Sequence, residues 1–243
     1  MGREPQLPGQ RVLVIGGSSG IGLETARRAH AEGASVIITA RDPERVHRAG
    51  LELEASIAAF DATDFDRLGI FFAEVRTQLD HVLVTVPGPP HEPRTDFDAE
   101  EARREVDAHL VLPLRVARIA SGKVRPGGTL LFIGCIDHGR VERGSTFVSA
   151  LTTALSAMTK RLAFELAPVR VNLLAAGFVD TPLAAEVMGN GIDARREELR
   201  TTLPIGRVIG AGDVAALAVH LMTNTAVTGA TFDIDGGQQL VEG

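Results

Sequence analysis

The 243-residue sequence predicts an α/β fold: one doubly wound parallel sheet covered by helices on both faces. Three observations predict it. Short, nearly continuous apolar runs rich in Val and Ile recur along the chain, longer helical stretches alternate with them, and a glycine-rich turn joins the first run to the first helix. Strands without polar alternation are buried on both faces, which is the condition of a parallel sheet.

The elements follow in order. Residues 11–15, Arg-Val-Leu-Val-Ile, read as a fully buried strand and 21–31 as its helix. Strands follow at 35–39 and, more weakly, at 56–60. The pattern returns at 81–86, 129–133, 169–174 and 231–234, with helical stretches at 96–120, 146–167 and 211–222. Right-handed crossovers place the C-terminal ends of these strands on one rim, where ligands bind. Residues 94–98 and 180–203 are the least regular. The first reads as a surface loop, and 182–203 as a mobile lid carrying Leu183, Val187 and Met188. No linker or repeat divides the chain, so 1–243 reads as a single domain.

Composition excludes several classes. A net charge of −6 argues against a nucleic-acid partner. One cysteine, Cys135, excludes a disulfide framework and a cysteine-rich zinc site. The longest uncharged run, 144–159, is too short and too polar to span a bilayer, and Met1 to Gln6 carries no apolar leader segment or acylation signal. The expectation is a cytoplasmic protein acting on a small molecule.

The turn Gly16-Gly17-Ser18-Ser19-Gly20-Ile21-Gly22 lies between a strand and a helix near the start of an alternating chain. Its glycines let backbone N–H groups approach a diphosphate at the positive end of the helix, which identifies a dinucleotide site. The second strand ends Thr39-Ala40-Arg41-Asp42. A site for NAD carries a carboxylate there for the ribose 2′-OH. Ala40 and Arg41 present a cation instead, so the site is read as preferring NADP(H) over NAD(H), unless Arg41 only caps the strand at the surface. Asp61, followed by Ala62, accepts from the adenine amino group or opens the next helix as its N-cap.

These motifs resemble the short-chain dehydrogenase/reductase family over nearly the whole chain. The matches run from Ile15-Gly16 to Gly22, through Asp61-Ala62-Thr63, to Arg170-Val171-Asn172 and Gly177-Phe178-Val179-Asp180-Thr181-Pro182. Pro204 to Arg207, Gly212 to Ala215 and Val227 to Gly237 complete them. The resemblance implies a Rossmann sheet of about seven strands, a nicotinamide cofactor with Val179 and Thr181 beside its carboxamide, and a homodimer or homotetramer. Apolar faces on helices 105–120 and 146–167 are compatible with a four-helix interface.

The resemblance also implies a catalytic Asn, Ser, Tyr and Lys. In that chemistry the lysine ammonium lowers the phenol's pKa so that it can trade a proton while hydride moves. The chain has no tyrosine at all. Counting from the family pattern places Cys135 at the serine, Val148 at the tyrosine, Thr152 at the lysine and His109 at the asparagine; Thr85-Val86-Pro87-Gly88 stands at the family's Asn-Asn-Ala-Gly. Lys160, eight helical residues beyond Thr152 and displaced by roughly 12 Å, cannot replace the lysine.

Other groups converge on the same rim: His109, Cys135, Asp137, His138, Ser149 and His91. Either His109 or His138 can protonate an alkoxide near neutral pH. Cys135 is a nucleophile if its pKa is depressed and otherwise an inert buried thiol. His109, Cys135 and His138 could meet as metal ligands only with support around all three, so no metal is expected. Thr152 and Ser149 bond within their helix or touch the cofactor ribose. Three readings stand: an NADP(H)-dependent oxidoreductase on a carbonyl or alcohol with a non-standard proton donor, a non-redox lyase, isomerase or cyclase on the same scaffold, and a catalytically silent NADP(H)-binding protein.

Overall fold

The computed structural model describes residues 6–86, 98–136 and 146–241, and its structural facts concern those residues. Strands β1 (Arg11–Ile15), β2 (Ser35–Ala40), β3 (Ser56–Ala59), β4 (Leu79–Val84), β5 (Val124–Cys135), β6 (Arg170–Ala176) and β9 (Thr231–Ile234) form one parallel sheet in the order β3-β2-β1-β4-β5-β6-β9. The doubly wound parallel sheet is therefore as expected. The order reverses between β1 and β4, the switch point where α/β proteins bind ligands. Two short strands, β7 (Val179–Asp180) and β8 (Ile209–Gly210), pair separately above the rim.

Helices α1 (Gly20–Ala31), α2 (Pro43–Leu53) and α9 (Ala211–Thr223) cover one face around Val12, Val14, Ile38, Leu131 and Leu174. Helices α3 (Phe65–Glu74), α5 (Leu112–Ala120) and α6 (Thr146–Glu165) cover the other, where Phe72 and Phe132 are fully buried. The helix starts follow from local chemistry. Asp42, Asp64 and Asp98 each accept backbone N–H groups of the first turn of α2, α3 and α4 (Ala99–Val106). The helix after β3 thus opens on Asp64. Asp61 is not its N-cap; it accepts instead from the N–H and hydroxyl of Thr63, at 2.9 and 2.7 Å.

Two further expectations change. The predicted helix 96–120 is broken by a π-turn at Asp107–Val111 between α4 and α5, and the turn carries His109. Residues 180–203, expected to be irregular, are mostly helical: α7 (Pro182–Met188) and α8 (Ile192–Thr202). Thr181 caps α7 by accepting from Ala184 N–H, and Pro182 fixes the first-turn φ, a start signal legible in Thr-Pro.

At the opposite end of the sheet, His81, Thr129 and Arg170 are register partners across β4, β5 and β6, and all three are buried. Arg170 donates to Thr129 Oγ1 at 2.5 Å and to the carbonyls of Leu221, Met222 and Asn224 at 2.8–2.9 Å. It thereby supplies donors to the C-terminal carbonyls of α9 that the helix itself leaves without partners.

Candidate functional site

The phosphate turn is shaped by close approaches that admit no side chain. Gly16 has φ +86°, and a Cβ there would stand 2.1 Å from Thr85 O; a Cβ on Gly22 would stand 2.2 Å from Gly16 O. The N–H groups of Gly16 and Gly17 donate to Thr39 O at 2.9 and 3.0 Å, tying the turn to the end of β2. Ser19 is the N-cap residue of α1, yet its side chain makes no cap hydrogen bond, and the first turn of α1 carries no acidic residue. Open N–H groups, an uncommitted hydroxyl and a positive helix end fit a diphosphate. Ser18, Gly20 and Ile21 complete this loop.

Along the rim, Ala40 ends β2 and Arg41 is exposed just beyond it. Asp42, the neighbouring carboxylate, is committed to the N–H groups of Glu44 and Arg45 at 2.9 and 3.0 Å, which hold its carboxyl below the usual range. The strand end therefore presents a cation and no available acid. Asp61 and Ala62 follow β3 at the same rim, Asp61 exposed and turned onto Thr63.

On the other side of the phosphate turn, a Cβ built on Gly20 would stand 3.5 Å from Thr181 Cγ2, so the loop from Gly177 to Thr181 abuts the turn directly. Val179 is buried there. Sequence reasoning missed what fixes this loop. Phe178 N–H donates to Gln238 Oε1 at 2.9 Å, and Arg196 of α8 makes a two-pronged bond to Asp180 at 2.8 and 3.0 Å. These partners lie 60 and 16 residues away in sequence, and neither spacing is a recognised motif.

The four positions inferred for catalysis lie as follows. Cys135 ends β5; burial pushes its thiol up to about 11, so it is a protonated S–H at neutral pH and not a thiolate nucleophile. Val148 is buried and aliphatic. Thr152 is buried as well, and its hydroxyl donates back to Val148 O at 2.9 Å, the first of the two roles its sequence position allows. His109 is 5% exposed on the π-turn, which packs against α6. Burial lowers its pKa to about 4, and its Nε2 lies 3.1 Å from Glu105 Oε2. A neutral ring donates Nε2–H to that carboxylate and keeps the lone pair on Nδ1. Gly88, His91, Asp137 and His138 lie outside the described residues. No cluster of metal-ligating side chains occurs among the described residues.

Cys135 and Thr152 line one cavity of about 720 Å³ that runs along α6 beside β9. This volume is in the range that holds small-molecule ligands. No described helix is long and apolar enough to cross a membrane.

A family model described as enoyl-(acyl carrier protein) reductase matches residues 16–239. A short-chain dehydrogenase/reductase of Stachybotrys chlorohalonatus, ATR9, is 28% identical over 96% of this chain and 98% of its own length. The galactitol 2-dehydrogenase (L-tagatose-forming) of Cereibacter sphaeroides is 32% identical, with 96% of each chain covered. Among solved structures, BdcA in complex with NADPH superposes with a TM-score of 0.84 at 26% identity, covering 95% of each chain.

Proposed function

The chain belongs to the short-chain dehydrogenase/reductase family, and from that premise we propose that it is an NADP(H)-binding oxidoreductase acting on a carbonyl or alcohol, with a proton donor other than the family's tyrosine. The observation that carries this reading is the closeness of Thr181 to Gly20, where a Cβ would stand 3.5 Å from Thr181 Cγ2. It sets the nicotinamide-side loop against a phosphate turn whose cradle admits no side chain.

The residues divide the work. Gly16, Ser18, Ser19, Gly20, Ile21 and Gly22 hold the diphosphate, and Arg41 takes the 2′-phosphate that an acidic strand end would repel. Asp61 and Ala62 border the adenine; Gly88, Val179 and Thr181 border the nicotinamide. When bound, the cofactor supplies or takes up the hydride. The protein must then handle one proton. Cys135, protonated at neutral pH and lining the cavity, has an S–H to give to a developing alkoxide. His109 stays neutral, so its part is to accept a proton or hydrogen bond and not to act as a charged acid. His138 is the remaining donor.

The test is NADPH consumption against a panel of aldehydes and ketones, with Cys135→Ala, His109→Ala and His138→Ala compared. A loss of about 10²–10⁴ in kcat on removing one of the three assigns the donor. Full activity in all three variants refutes a rewired acid. Two observations favour a second reading, a non-redox enzyme or a silent binder: the Val148 side chain has no proton to exchange, and the Thr152 hydroxyl is turned into its own helix. Under that reading NADP(H) raises Tm by mass action, while no substrate changes the nicotinamide absorbance. Apolar side chains left on the outer faces of α5 and α6, Leu114 and the 86%-exposed Phe164, support a homodimer or homotetramer.

A further inference from the structure

The loop from Gly177 to Thr181 and the chain that leaves α8 both rest on one turn at the end of β9. Asp235 is buried in that turn, and its carboxylate accepts the N–H groups of Gly237 and Gln239 at 2.8 and 2.9 Å. Gly236 and Gly237 have φ of +68° and +87°, two successive positions in the left-handed region that favours glycine. The N–H groups of Gln238 and Leu240 then donate to the carbonyls of Asp235 and Gly237, at 3.2 and 2.9 Å. The turn is thus fixed by its own hydrogen bonds, and it carries Gln238 in a set place.

Two stretches of chain are pressed against it. Gly177 N–H donates to Ile234 O at 3.1 Å, and a Cβ on Gly177 would stand 2.7 Å from Gln238 Oε1 and 2.8 Å from Asp235 Cβ. A Cβ on Gly236 would stand 2.8 Å from Ile205 Cδ1, and one on Gly237 2.6 Å from Pro204 Cγ. Helices α7 and α8 are therefore seated at both ends on residues 235–238. At the first seat the Gln238 side chain holds backbone: its Oε1 accepts from Phe178 N–H at 2.9 Å. A backbone donor faces it, so the amide must present its oxygen and not its NH2 group. Further along the loop, α8 holds side chains instead. Arg196 grips the Asp180 carboxylate, and the Arg195 guanidinium lies 5.8 Å over the Phe178 ring.

We propose that Gln238 is a positioning residue for the nicotinamide end of the cofactor. Its side-chain oxygen sets the Phe178 peptide, and with it the course of the backbone through Val179 to Thr181, before the cofactor arrives. A loop held beforehand gives up less freedom when its ligand binds. This role rests on the reading of that loop as the border of the nicotinamide. The phosphate turn is tied separately, by Gly16 and Gly17 to Thr39, so the adenine half of the site does not depend on Gln238.

Two substitutions separate the hydrogen bond from the shape of the side chain. Gln238→Met keeps its length and loses the acceptor, whereas Gln238→Glu keeps an acceptor oxygen. Titration of the full chain, followed by nicotinamide fluorescence, should show NADPH bound about tenfold more weakly by Gln238→Met and within about threefold of the wild type by Gln238→Glu. Adenosine 2′,5′-bisphosphate, which lacks the nicotinamide, should bind the wild type and both variants equally in calorimetry, and that equality also shows that the variants fold. Unchanged NADPH affinity in Gln238→Met, or equal losses in Met and Glu variants, overturns the proposal and leaves the cofactor reading intact. A loss in Gln238→Met that is as large for the bisphosphate as for NADPH overturns it too, because the effect is then not confined to the nicotinamide end. A wild type that binds no NADPH overturns the cofactor reading and this role together. Turnover does not enter the test, so failure of every carbonyl substrate removes the oxidoreductase reading and leaves the role of Gln238 standing.

Discussion

His81 lies on β4, the middle strand of the sheet, 0% exposed, with Nε2 2.7 Å from Gln10 Oε1 and Nδ1 lacking any partner. Burial is the main cause that lowers its pKa to about 3; Asp80 opposes this, while Arg125 and Arg170 add to it. The folded pKa is depressed below the unfolded value of 6.5, so the unfolded chain binds more protons between those pH values. The stability is therefore complete above pH ~6.5 and is lost as pH falls toward ~3. At 1.36 kcal/mol per pKa unit, His81 alone costs about 2 kcal/mol between pH ~7.5 and ~5, and approaches about 5 kcal/mol near pH ~3. His109, lowered to about 4 by burial, adds a similar loss of about 2 kcal/mol by pH ~5. Urea unfolding of the wild type across this range should then show a fall of about 4 kcal/mol from the two groups. His81→Leu should remove about half of it, and His109→Asn the other half. Stability at pH ~7.5 is the internal reference, since neither imidazole is charged there in the folded or unfolded chain. An unchanged pH slope in His81→Leu would refute the reasoning, because it would mean that the buried ring does not exclude its proton.

Three shorter predictions concern the site. Gly22→Ala places a methyl 2.2 Å from Gly16 O, so NADPH affinity should fall by at least about tenfold, measured by fluorescence titration. Arg41→Ala should weaken NADPH by about tenfold or more and leave NADH unchanged; equal losses for both would remove the case for 2′-phosphate recognition. Arg196→Ala frees Asp180 and should speed proteolytic cleavage within 182–203. The pair is open to solvent and screened by it, so Tm should barely move.

Much of the rim was legible because its signals are local. Gly16 to Gly22 is a turn whose residue types are dictated by backbone approach, and Thr181-Pro182 encodes a helix start in two adjacent residues. Asp61 shows the limit of such signals. An aspartate after a strand reads as an N-cap, but Asp64, three residues on, takes the helix, and the sequence does not distinguish two acids so close together. The stretch 180–203 departs from its irregular sequence pattern for a related reason. Short helices α7 and α8 are held by Thr181, by Asp180 with Arg196, and by packing of Ile192 and Leu199, which local pattern does not display.

By itself, then, the sequence determined the parallel α/β sheet, the glycine turn and the absence of any tyrosine, since strand composition, glycine spacing and residue counts are properties of neighbours or of the whole list. Only the tertiary structure decided the protonation of the candidate acids, because a side chain's pKa depends on what surrounds it. It made Cys135 a protonated thiol and His109 a neutral ring, since desolvation penalises the charged form of each. It also brought Cys135 of β5, Thr152 of α6 and Thr231 of β9 to the wall of one cavity, because only the folded helix beside the sheet edge brings together residues so far apart in sequence.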